Sequence, residues 1–146
     1  MECLKFGYLT LVDRKGEMQS PGEFALHVQC PWHIVNASEI VIGSTDVYTP
    51  ADEAADNDES FDWDKAGENL RDAKLKALLE QKLVVESVAA DAYGGFSLGL
   101  SQGLTFTAFP AYSKKDEYTE FWRLINHRQR KAPHIVVGPS GIDEAF

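Results

Sequence analysis

Only two cysteines, Cys3 and Cys30, occur among the 146 residues. Two are too few for a disulfide framework, so both read as reduced thiols of a cytoplasmic protein. No apolar run approaches the ~20 residues of a membrane helix, and no membrane association is expected. The opening MECLKFGYLTLVDRKG lacks the basic start and apolar core of a signal peptide. Basic residues are scarce as well: 14 Lys and Arg face 23 Asp and Glu, a net charge of −9. Binding to a nucleic-acid backbone needs a basic surface, so nucleic acid is not an expected partner. No G-x-S-x-G elbow is present. The Gly94-Gly95 pair is not followed by the Lys-bearing helix of a phosphate loop. No Ser-His-Asp set stands out. No catalytic residue, metal or cofactor is therefore expected, and the sequence names no reaction.

What is present is an ordinary globular composition, 44% hydrophobic and 25% charged. A chain of this length buries roughly 70% of its unfolded surface, which suits a single domain over residues 1–146. The clearest pattern lies at residues 96–108. Phe96, Leu98 and Leu100 alternate with polar or small residues, as do Leu104, Phe106 and Ala108 after Ser101-Gln102-Gly103. This period of two predicts a β-hairpin with a three-residue loop. The register pairs Leu100 with Leu104, Leu98 with Phe106 and Phe96 with Ala108, all on one face. Gly103 is expected at positive φ, Asp91 in a turn near Gly94-Gly95, and Pro110 just past the last strand.

Elsewhere, residues 4–12 read as a first strand and 13–22 as a loop. Residues 24–35 alternate as one strand, with Phe24, Leu26, Val28, Cys30, Trp32 and Ile34 on one face and a bulge or edge suggested by Pro31. A turn at Asn36-Ala37-Ser38 leads to a returning strand over 39–48. Asn69 with Asp72 three residues on is a helix start. Leu75, Leu78 and Leu79 form the apolar stripe of a main helix over about 69–82. Residues 83–90 and 119–125 read as strands, 134–137 as a short last strand, with regular structure ending at Gly138-Pro139-Ser140-Gly141. Six to eight strands with one helix predict an α+β fold: a mostly antiparallel curved sheet or partial barrel packed on the helix.

The blocks HVQCPW, GGFSLGLSQGL and WRL resemble those of a group of small uncharacterised bacterial proteins. The resemblance spans residues 22–142 and implies a bacterial, single-domain protein, with no activity or site residue to carry over. In that group an Arg usually follows the first Trp; here His33 stands there.

Charge is concentrated in a loop at residues 50–64. Seven carboxylates lie between residues 52 and 64 with no Lys or Arg, leaving 16 acids against 14 bases elsewhere. Asp56, Asp58, Ser60, Asp62 and Asp64 alternate like a calcium loop. The glycine and bidentate glutamate that such a loop needs are replaced by Phe61 and Gly67. The plainer reading is a solvated loop; the functional one is a partner-binding loop in which Asp56, Asp58, Asp62 and Asp64 steer and Phe61 and Trp63 anchor.

His27, Cys30 and His33 invite a metal reading, but strand alternation turns Cys30 away from the two imidazoles. A straight strand would also hold those imidazoles ~20 Å apart. His27 and Gln29, with Arg123 near, outline instead a polar pocket. Three functions follow: a non-catalytic module, immunity- or inhibitor-like, that binds a basic protein through the acidic loop; a small-molecule binder or enzyme using the His27, Gln29 and Arg123 pocket; or a structural homo-oligomer, such as a homodimer.

Overall fold

The computed structural model describes residues 1–52, 59–65 and 67–145. All strand pairings are antiparallel, and the backbone groups into two compact units. The fold is α+β, and the sheets do not close into barrels.

The first unit takes Met1–Cys30 and Pro110–Phe146. Its strands are β1 (Glu2–Phe6), β2 (Leu11–Val12), β3 (Met18–Gln19), β4 (Phe24–Val28), β10 (Trp122–Asn126), β11 (His134–Gly138) and β12 (Gly141–Ala145). Five of them form a sheet in the order β1-β4-β10-β11-β12, while β2 and β3 form a ribbon. The single first strand expected over 4–12 is thus two strands in different sheets. Gly7, at φ +72°, breaks it. The loop expected over 13–22 contains β3, turned by Asp13, whose carboxylate accepts from the amides of Lys15 and Glu17. Regular structure also continues past Gly138: Pro139 and Ser140 make a hairpin turn into β12.

The second unit takes Pro31–Phe109. Its strands are β5 (Trp32–Val35), β6 (Ile40–Gly43), β7 (Val85–Ala90), β8 (Phe96–Leu100) and β9 (Leu104–Ala108), ordered β6-β5-β9-β8-β7. The central hairpin has the expected register: Phe96 opposite Ala108, Leu98 opposite Phe106, Leu100 opposite Leu104. Gly103 sits at φ +71°, and Gln102 joins it at φ +65°. The Asp91 carboxylate accepts from the amides of Tyr93 and Gly95, making the turn between β7 and β8. Trp32, Phe106 and Phe96 stack in a row at 5.3 and 5.9 Å between centroids. Phe106 is only 1% exposed, so this row is the unit's core.

The helix α1 spans Leu70–Leu79, capped by the Asn69 side chain accepting from the Asp72 amide at 2.9 Å. Leu75 and Leu78 are buried, but Leu79, expected in the same stripe, is 56% exposed. Lys82 lies beyond the helix at φ +52°. The strand expected over 39–48 is shorter, because Ser44–Tyr48 winds into a 3-10 turn against α1. There the Asp46 carboxylate accepts from the Gly43 amide. The turn at Asn36 is as expected, with its side-chain oxygen accepting from the amides of Ser38 and Glu39.

The expected strand over 24–35 is the main correction. It splits into β4 and β5, which belong to different sheets and different units. The amides of Gln29 and Cys30 both donate to the Phe121 carbonyl, at 2.9 and 3.1 Å. Two residues against one is a bulge, and Pro31 has no amide with which to resume the ladder.

Candidate functional site

Two constellations gather the side chains singled out from the sequence, one in each unit. In the second unit, the described part of the acidic segment is a series of tight turns. The Asp62 carboxylate accepts from the Asp64 amide, and the Lys65 ammonium pairs with Glu68 at 2.6 Å. Asp62 and Asp64 are exposed and Phe61 is half-buried, while Asp56 and Asp58 lie outside the described residues.

The Trp63 ring meets Tyr48 edge-on, with centroids 5.4 Å apart at 61°. Such a pair contributes ~0.5–1.5 kcal/mol beyond its burial. Both rings nonetheless face solvent, Tyr48 at 61% and Trp63 at 48% exposure.

What holds Trp63 in place is Asn69, 1% exposed. Its amide nitrogen donates to the Trp63 carbonyl at 3.3 Å and to Asp72 at 3.1 Å, while its oxygen caps the helix. Asp72 also accepts from the Gly67 amide and from two Arg71 nitrogens. Burial pushes its carboxyl upward, but these hydrogen bonds together outweigh that and hold it below the ordinary carboxylate range. Tyr48 had no place in the sequence reading, because residues 39–48 read as a strand. Its position immediately before the acidic run was the available signal.

In the first unit, register sets the geometry. His27 on β4 stands opposite Cys3 on β1 and Arg123 on β10, and Arg123 stands opposite Val136 on β11. Directly paired residues share a face, so His27, Arg123 and His134 lie on one side of the sheet, all half-buried. The Arg123 guanidinium grips Glu120 at two points, Nε to Oε2 at 3.1 Å and Nη2 to Oε1. Gln29 donates to the same Oε2 at 3.2 Å.

Arg123 Nη1 lies 3.1 Å from His134 Nδ1. A guanidinium can only donate, so Nδ1 accepts and the ring proton sits on Nε2. Desolvation, then the charges of Arg123, His127 and His27, press the His134 pKa below its ordinary value. The Glu120 carboxylate raises that of Arg123.

The three expected pocket residues thus come together: Gln29 and Arg123 through Glu120, and His27 by cross-strand register. Glu120 and His134 escaped the sequence reading. Glu120 was signalled by its three-residue spacing to Arg123, and His134 by nothing local, since only the β10–β11 pairing brings it in. Arg123 engages Glu120 and His134, while its neighbour Trp122 points to the opposite face of the strand.

Cys3, opposite His27, is not an activated nucleophile, since desolvation raises its thiol pKa. Burial pushes the Cys30 thiol up to about 11; both cysteines are free. Among the described residues, no three His, Cys, Asp or Glu side chains gather as a metal site. No helix among them is long and apolar enough to cross a membrane.

No protein-family model matches the chain, and no curated protein or solved structure matches it significantly.

Proposed function

We propose that the chain is a non-catalytic protein-binding module of the bacterial cytoplasm, immunity- or inhibitor-like, that receives a basic segment of its partner around Tyr48 and Trp63. The observation that carries this reading is the Tyr48–Trp63 pair, two large rings held edge-to-face yet about half exposed. Aromatic side chains dominate the energetics of protein interfaces. A ring already fixed before binding loses little freedom on docking, and Asn69 fixes the Trp63 backbone from beneath. Asp62 and Asp64, exposed and next to Trp63 in sequence, raise the encounter rate of a positively charged partner.

Selection of a random displayed-peptide library on the intact protein tests the reading. Enriched peptides should carry Lys or Arg beside an apolar residue and bind more weakly at high salt. Trp63→Ala and Tyr48→Ala should each weaken them about tenfold or more. Enrichment of neutral or acidic peptides, or binding indifferent to both substitutions, would overturn it.

A further inference from the structure

We propose that the Arg123 face of the first unit's sheet binds a small oxyanion, a phosphate or a carboxylate group, in competition with Glu120 as a built-in counter-ion. This site lies in the other unit from the Tyr48–Trp63 pair and is independent of the protein-binding reading.

Two of the chain's four histidines, His27 and His134, flank one guanidinium, and a third lies near His134. His27 is its cross-strand partner, and His134 is bonded to it. His127 follows directly on β10, close enough for its charge to bear on His134. Arg123, His127 and His134 share the β10–β11 hairpin, and the pairing of β10 with β4 adds His27 from nearly a hundred residues away.

The guanidinium itself is prepared for a planar anion. Of its five N–H donors, Glu120 and His134 take three. Two donors remain, on a group whose orientation is already fixed by a two-point carboxylate grip. Glu120 shows the chemistry that this fork accepts, and Gln29 holds Glu120 from the other side.

Charge on the face sets the pH dependence. By register, β1 contributes Lys5 and Cys3, and β12 contributes Asp143, opposite Val136. Lys5 and Arg123 are balanced by Glu120 and Asp143. The pair Glu23–Arg128, near the His127 amide, is neutral in sum. The face therefore carries little net charge above the histidine range and gains positive charge as His134 protonates. Protonated His134 can no longer accept from Arg123, and an anion would bridge the two cations. Oxyanion binding and imidazole protonation are thus linked: each raises the other.

The test is proton NMR of the imidazole signals of the full chain. Sodium phosphate and sodium acetate are added in separate titrations at pH 6, with sodium chloride at matched ionic strength as reference. The expected result is a saturable shift of the His27 and His134 signals with one or both oxyanions, and an upward move of the His134 titration midpoint. His33, in the other unit, should stay where chloride leaves it. The tighter of the two anions identifies the group recognised.

Glu120→Gln removes the internal competitor and should tighten binding about fivefold, whereas His27→Gln should weaken it by a similar factor. Equal shifts at His33, no saturation beyond chloride, or a Glu120→Gln protein that binds no tighter would each overturn the proposal. Should Glu120→Gln fail to fold, unchanged affinity in His27→Gln would overturn it as well.

Discussion

The two units are built on five-stranded antiparallel sheets of the same size, yet they spend their faces differently. The second unit buries a stacked row of Trp32, Phe106 and Phe96 and lays α1 against β6 and the 3-10 turn. The first buries smaller groups, Ala25, Leu26, Val28 and Val137 with Phe121. Its strand β10 is half-buried along its whole length and gives its second position to an ionised arginine. Apolar burial contributes about 25 cal/mol per Å², whereas a partly exposed ion pair contributes ~0–1 kcal/mol. The aromatic row therefore contributes more to cohesion than the Arg123 ion pair does.

Substitutions can break or sharpen this contrast. Phe106→Ala should have the largest effect, a loss of about 3–5 kcal/mol in urea unfolding, because it empties the middle of the aromatic row. A loss below about 1 kcal/mol would show that the row is not the core described.

Asn69→Ala should cost about 1–2 kcal/mol, since it removes the helix cap and the support of the Trp63 carbonyl together. Its thermal melt should fall, and tryptophan emission should change as the Trp63 ring loosens.

The first unit should also respond to pH. The folded-state pKa of His134 lies below its ordinary value of about 6.5, so the unfolded chain binds its proton first. Its stability contribution is complete above the unfolded pKa and declines as pH falls through 6.5 toward the folded value. Because the group is only partly shielded, the effect should stay below about 1 kcal/mol. A His134→Gln protein should lose less stability between pH 7 and 5 than the native protein does, and an equal loss would remove His134 from the account.

The smallest effect belongs to the acidic segment. Asp62→Asn with Asp64→Asn should shift stability by no more than about 0.5 kcal/mol, since Asn keeps the acceptor for the Asp64 amide. A large drop in melting temperature would mean that these carboxylates serve the fold and not a partner.

How much was legible in the sequence follows from how local each cause is. The hairpin of β8 and β9 was readable to the residue, because alternation and a loop glycine are both written within thirteen positions. The helix start was equally readable from Asn69 and Asp72. The division at Gln29–Pro31 was not, because Phe24 through Ile34 keep one alternating phase across the break. The bulge that ends β4 depends on Phe121, some ninety residues away in sequence. Strand β12 escaped because its only large apolar residue, Ile142, is 78% exposed and leaves no buried face to read. The sites divide in the same way. Trp63, His27, Gln29 and Arg123 stood out by residue type, whereas Tyr48, Glu120 and His134 acquire their roles only through contacts made elsewhere in the fold.

The order in which a ribosome delivers these strands has its own consequence. The second unit is one continuous stretch, set between the two halves of the first. Strand β4 must wait for its partner β10 until residues 122–126 have been made. At ~5–20 residues per second, that is a delay of roughly 5–20 s, by the end of which the second unit has all of its own strands. Until β10 arrives, β4 presents an unpaired edge, the kind of surface that chaperones cover and aggregates exploit. The vulnerable moment in the life of this protein falls before its synthesis ends.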